Sequence, residues 1–249
     1  MVQPFRPPGT PGVGELAFLV SGGGDLKRLG ERLPLAHPGT RIMMSHLRPE
    51  AAEPPRFSAA GPVVGAPYAA MMLETLVAWG ARRAVFLGWC GALTPDLAIG
   101  DLLVPDGGLV DEGTSPGYGK PAGEMSRPDP ALTETLRATA TARGGAPCRG
   151  LVWTTDAIYR ETPSKVRAFR NRGAVAVEME LSALFTVGRF RSVPVAALLV
   201  VSDSLADLTW RPGFRDPRFR AGRQLAREIL AELCLKPLSP PTSSNGPAN

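Results

Sequence analysis

Residues 174–185 read AVAVEMELSALF. Ala174 to Val177 is a small, partly β-branched apolar run of the kind that forms a buried strand, and Leu181, Leu184 and Phe185 recur at helical spacing. Glu178, Met179 and Glu180 fall where the strand hands over to the helix. A carboxylate in that place is costly unless something pairs with it. The segment therefore predicts both a strand–helix unit and a task for its two acids.

The same alternation extends outward. Downstream, the helix SALFTVGRF (182–190) leads to the apolar strand VPVAALLVVSD (193–203), and RAGRQLAREILAELCL (220–235) predicts a last helix. Upstream, SKVRAFRNRG (164–173) predicts a helix capped by Ser164, and RGLVWTT (149–155) a strand. A helix over 126–145 is opened by Asp129 and Pro130 and closed at Gly144. DLLVPDGGLV (101–110) reads as one strand, and RAVFLGWCGAL (83–93) as a strand entering a tight turn. GAPYAAMMLETLVAWGA (65–81) is an amphipathic helix ending at Gly80. ELAFLVSGGGDLKRLGERL (15–33) gives a strand, a glycine turn and a helix. The proline-rich stretch 34–62 resists assignment, with RIMMSHL (41–47) a possible strand.

Strands that are apolar throughout and alternate with helices imply a mostly parallel sheet covered on both faces. No linker divides the chain and no internal repeat is evident. The expected organisation is a loose arm (1–14), one α/β domain (15–235) and a disordered tail (236–249) rich in Pro and Ser.

Composition narrows the class. Apolar residues make up 44% of the 249, enough for a sizeable core. The net charge of +5 is scattered, with no basic run interleaved with aromatics, so nucleic acid is not the expected partner and a small anion explains the arginines equally well. Cys90, Cys148 and Cys234 are too few and too dispersed for a disulfide framework or a zinc site, so no metal is expected. No apolar run approaches the ~18 residues of a membrane span, and the first residues lack a signal-peptide core. A cytoplasmic protein is expected.

In open α/β sheets ligands gather beyond the carboxyl ends of strands. Four strands end in polar or glycine-rich residues: SGGGDLKR (21–28), LGWCGAL (87–93), VEME (177–180) and VVSDS (200–204). Taken singly, each has a structural explanation: a tight turn, a cap, an internal ion pair. Their coincidence points to a site.

The four segments together resemble the nucleoside phosphorylase and nucleosidase family of purine nucleoside and uridine phosphorylases. VEMELSALF followed by VPVAALLVVSD is similar to that family's VEMExxA and VSD signature, and GDLKR (24–28) to its GDPxR phosphate turn. Residues 64–93 resemble its GxPS…GSCGAL block, GDLLVP…DEGTS (100–115) the strand after it, and TTDAIYRE (154–161) its SADxFY segment. The resemblance spans Glu15 to Leu233. It implies a three-layer α/β/α fold around a central, mostly parallel mixed sheet.

It also implies a pentosyltransferase that cleaves the N-glycosidic bond of a nucleoside with phosphate as co-substrate, giving free base and ribose 1-phosphate without a metal or organic cofactor. Glu180 would grip the 2′- and 3′-hydroxyls of ribose, Met179 would lie against the sugar, and Glu178 would complete the ribose site as a support. A carboxylate suits paired hydroxyls because it accepts two hydrogen bonds at once. Asp203 would be the catalytic acid at N7 of a purine, with Ser202 beside it and Arg215 or Arg218 assisting. Ile158, Tyr159, Cys90 and Gly91 would line the base pocket. The glutamine- and arginine-bearing insertion of uridine-cleaving members is not evident near 154–161, which favours a purine.

Gly24, Arg28 and Trp89 occupy the phosphate-binding positions, and here the chain departs from the pattern. Leu26 replaces a proline, while Phe86 and Trp89 stand where the family's second block offers an arginine and a hydroxyl. Two alternatives follow: an N-ribosidase using water, and a catalytically silent nucleoside-binding relative. His37 and His46 lie outside the arm where hexameric members carry a histidine, and Arg41 or Arg48 would be lent across a subunit interface in an expected dimer or hexamer.

Overall fold

The computed structural model describes residues 2–235, so the tail expected at 236–249 lies outside the described residues. Twelve strands and seven α-helices follow one another along them. In order they are β1 (Leu16–Val20), α1 (Gly23–Gly30), β2 (Thr40–Ile42), β3 (Ser45–Pro49), β4 (Phe57–Gly61), α2 (Ala66–Trp79) and β5 (Arg83–Ala92). Then come β6 (Leu102–Leu103), β7 (Gly107–Asp111), α3 (Thr114–Gly117), β8 (Met125–Ser126), α4 (Pro130–Ala142) and β9 (Leu151–Thr155). A 3-10 turn at Ile158–Arg160 precedes α5 (Pro163–Asn171), β10 (Ala174–Glu178), α6 (Leu181–Phe190), β11 (Val195–Ser204), β12 (Arg211–Pro212) and α7 (Pro217–Leu235).

The strands form one mixed sheet in the order β2-β3-β4-β1-β5-β10-β9-β7-β8, with β11 also beside β5. The long central pairs β1–β4, β1–β5, β5–β11, β9–β10 and β7–β9 are parallel. Antiparallel pairing is confined to hairpins, short edge strands and the two-residue contact of β10 with the end of β5.

Side-chain alternation along β5 and β11 builds the two helix layers. Ala84, Phe86, Ala197, Leu199 and Val201 pack on one face with Leu73 and Leu76 of α2 and Leu184 and Phe185 of α6. Val85, Leu87, Leu198 and Val200 pack on the other with Leu26, Leu136, Phe219 and Ile229 of α1, α4 and α7. The sheet is thus sandwiched, and the period of two decides which residues of one strand face which helices.

Four details differ from the sequence expectations. The unassigned stretch hides β4, FSAAG, whose residues are all buried; small side chains with no β-branching give it no strand signature. The run 101–110 is two strands rather than one, broken at Val104–Asp106 around Pro105. The cap of α5 is Thr162, whose hydroxyl accepts from the Lys165 amide, and not Ser164. The arm is tethered: Trp79 Nε1 on α2 donates to the Phe5 carbonyl at 3.0 Å, and Val13 is buried. Among the described residues no helix is long and apolar enough to cross a membrane.

Candidate active site

The strand ends of the sequence reading meet at one edge of the sheet. Asp203 on β11 pairs with Gly91 on β5, and Gly91 pairs in turn with Val177 on β10. The next three residues are Glu178, Met179 and Glu180. Gly91 permits this approach: a Cβ there would stand 3.1 Å from Asp203 Oδ2 and 3.3 Å from Val177. One carboxylate from β11 and one from the β10–α6 junction are therefore brought to neighbouring rungs.

At that junction the two glutamates have different environments. Glu178 is buried and accepts from the Glu180 amide at 2.7 Å, the Leu181 amide at 2.8 Å and the Thr154 hydroxyl. Its oxygens are turned onto the start of α6, where free N–H groups favour an anion. Glu178 thus shapes the turn, with both oxygens engaged inside the protein. Glu180 takes a 2.6 Å hydrogen bond from the Gly65 amide at the start of α2. The Met179 amide also bears on its carboxyl. A carboxylate accepts about four hydrogen bonds, so Glu180 keeps lone pairs for two hydroxyls.

Burial first, and repulsion from Glu180 second, push the Glu178 carboxyl up to about 8, and burial pushes Glu180 up to about 7. The two titrate as a pair. Donors brought by a ligand would draw Glu180 back toward its charged form.

Asp203 is held from two sides. Ser202 Oγ donates to Oδ1 at 2.6 Å, and Trp210 Nε1 donates to Oδ2 at 2.9 Å. The turn 205–210 folds β12 back onto the end of β11, with Asp203 opposite Pro212 and Ser204 opposite Arg211. Arg170 of α5 steadies this turn by donating to the carbonyls of Leu205 and Ala206, at 2.8 and 2.6 Å. Of the two arginines expected to assist at Asp203, Arg218 spends its guanidinium on Asp216, at 2.7 and 3.1 Å, and Arg215 is exposed. An indole takes that place. Sequence reading missed it because β12 is two residues long and carries no strand pattern.

Glu161, the last residue of the TTDAIYRE segment, was also missed. Burial, and then the charge of Asp203, push its carboxyl up to about 7. A second acid, its charged form disfavoured by burial, thus stands within electrostatic reach of Asp203.

The remaining base-pocket positions divide. Ser202 and Gly91 adjoin Asp203. Cys90 is buried among the α2 and α6 side chains, offering its carbonyl to Ser202 Oγ at 3.2 Å, and burial lifts its thiol well above the ordinary range. Ile158 is half exposed, and Tyr159 is 97% exposed. Tyr159 points into solvent because the 3-10 turn that carries it buries none of its side chains. Trp210 and Phe214, with ring centroids 6.4 Å apart, supply the aromatic surface beside Asp203 instead.

At the glycine turn, Gly24 and Arg28 are exposed on the first turns of α1. Trp89 lies on the α1–α7 side of the sheet, its edge 3.0 Å from where a Gly22 Cβ would be. Its Nε1 donates at 3.1 Å to Asp25, a buried carboxylate that also binds Arg223 (3.0 Å) and Arg227 of α7. The Arg223 guanidinium stacks on the indole, 4.8 Å from the ring. Phe86 is fully buried on the opposite face and does not reach the turn.

This fold agrees with what the chain is similar to. A family model described as the phosphorylase superfamily matches residues 14–236, and the chain belongs to that family. Its relatives include a guanosine phosphorylase of Halorubrum lacusprofundi, 32% identical over 143 residues, covering 57% of this chain and 58% of that protein. The match thus spans under two thirds of that relative's length. Among solved structures, the purine nucleoside phosphorylase of Toxoplasma gondii superposes with a TM-score of 0.78 at 19% identity, covering 89% of this chain and 90% of that one. The futalosine hydrolase of Helicobacter pylori superposes with a TM-score of 0.71 at 17% identity, covering 90% and 97%. These two share the fold.

Proposed function

We propose that this chain is an enzyme that cleaves the N-glycosidic bond of a purine nucleoside and releases the free base. The observation that carries the reading is the run of adjacent rungs Asp203–Gly91–Val177, which sets an acid and the Met179–Glu180 sugar grip at one sheet edge. Glu180 accepts from the vicinal hydroxyls and places negative charge near the ribosyl cation that grows as the bond breaks. Asp203 neutralises the departing base at N7, a form of acid help worth about 10²–10⁴ in rate. Glu161, its charged form disfavoured by burial, offers a further donor on the base side. The curated relatives are phosphorylases, and Gly24 and Arg28 stand on a glycine turn before a helix, which supports phosphate as co-substrate. Trp89 against the same turn favours water. A homo-oligomer in the cytoplasm fits the family reading.

The test is release of free base from a panel of inosine, guanosine, adenosine and uridine. Purine nucleosides are expected to be cleaved at least tenfold faster than uridine; equal or greater uridine cleavage would contradict the assignment of Asp203 to N7.

Trp210 provides a second check. Trp210→Phe keeps the ring but removes the donor to Asp203 Oδ2. A hydrogen bond to a charged group is worth about 1.5–3 kcal/mol, so kcat for a purine nucleoside should fall roughly 10- to 100-fold with KM little changed. An unchanged kcat would show that the indole does not orient the acid.

A further inference from the structure

We infer that Trp89 makes water, rather than phosphate, the group that captures the ribosyl cation in this protein. The inference rests on the N-glycosidic cleavage proposed above and specifies its second substrate.

An oxyanion held at the glycine turn needs open space over the turn and donors that are not already engaged. Over Gly22 the space is taken, since the indole edge sits 3.0 Å from the Cβ position. Over Gly24 the nearest group is Arg223, whose Nη2 lies 3.6 Å from the corresponding point. Arg223 is partly engaged: its Nε lies 3.0 Å from both oxygens of Asp25 and its guanidinium is stacked on the indole, while Nη2 faces Gly24 and the space over Gly23 is open. The indole's one polar atom, Nε1, is committed to Asp25 as well. An internal carboxylate, fixed by two arginines of α7, therefore holds the indole against the turn and offsets part of the positive charge that an incoming anion would meet. Arg28 remains exposed at the rim, but each missing charge-assisted contact weakens an anion roughly tenfold to a hundredfold. Water carries no charge that must be matched and is far smaller than phosphate, so neither constraint opposes it.

The step balances simply. The C1′–N9 bond breaks with its electron pair passing to the base, which receives a proton at N7 from Asp203. The water oxygen bonds C1′ and keeps one hydrogen as the 1-hydroxyl. Its other proton is lost to solvent, from which Asp203 is reprotonated. The products are free ribose and the base.

The deciding experiment incubates the full chain with a purine nucleoside in phosphate-free buffer and in buffer with millimolar inorganic phosphate, measuring base, reducing sugar and ribose 1-phosphate. Base release at equal rates in both, with ribose as co-product, is the expected result. Release that requires phosphate and yields ribose 1-phosphate overturns the inference and leaves the cleavage reading standing. No release in either buffer overturns both. In a parallel assay, Trp89→Ser should gain a phosphate stimulation of at least tenfold; a folded Trp89→Ser variant still indifferent to phosphate would show that the indole is not the selector.

Discussion

Asp203→Asn is expected to lower kcat/KM for a purine nucleoside by about 10²–10⁴-fold, the range for removal of a general acid, without loss of fold. The amide is isosteric and can still meet the Ser202 and Trp210 side chains that hold the carboxylate at 2.6 and 2.9 Å. A leaving-group control separates chemistry from damage. A riboside carrying nitrophenolate, which departs without protonation, should be cleaved by the variant within a few-fold of the parent rate. Near-normal purine cleavage by Asp203→Asn would refute the role assigned to this residue. An equal loss on both substrates would mean that the substitution disturbs the cleft as a whole.

Glu180→Gln should have an effect of similar size and a second, opposite signature. Two hydrogen bonds from ribose hydroxyls to a carboxylate are worth about 1.5–3 kcal/mol each, so a fall in kcat/KM of about 10²–10⁴ is expected. Stability should move the other way at alkaline pH. The unfolded carboxyl titrates near its ordinary 4.5, whereas in the folded protein burial raises Glu180 to about 7 and Glu178 to about 8. Between these values the folded state binds more protons than the unfolded one, so stability declines as pH rises from 4.5 through 8. The glutamine keeps an acceptor for the Gly65 amide but removes the charge and its repulsion of Glu178. At pH about 8 the variant should therefore be more stable by on the order of 1–2 kcal/mol, roughly 2–8 °C in Tm, and the gain should vanish near pH 4.5. Thermal melts across this range decide it; a parent whose Tm is flat would show that these carboxyls are not held against their charge. An acid site that weakens the fold it serves is the usual trade between activity and stability.

Much of this arrangement was legible in the residues. The strand–helix alternation and the buried run AVAV needed only periodicity, and the strand ends VEME and VVSDS marked where polar groups must emerge from an apolar sheet. What periodicity could not carry were the features made by backbone return and by remote packing. β4 lacks β-branched residues, so its burial is decided by its neighbours β1 and β3. Trp210 reaches Asp203 because a turn of a few residues folds back on itself, and Arg218 is diverted to a nearer partner, Asp216. The two glutamates of VEME look alike in sequence; the helix starts they face, α6 for Glu178 and α2 for Glu180, separate their roles. The departure at Phe86 and Trp89 was visible, but its reach was not, because the residues that engage the indole lie on the last helix.

That engagement ties α1 to α7. Asp25 meets Arg223 and Arg227 across separations of 198 and 202 residues. Trp89 can reach this aspartate from the middle of the sheet, but its two arginine partners arrive only with α7. A product truncated before residue 217 would therefore keep Glu180 and Asp203 while the glycine turn lost the two arginines that set its aspartate.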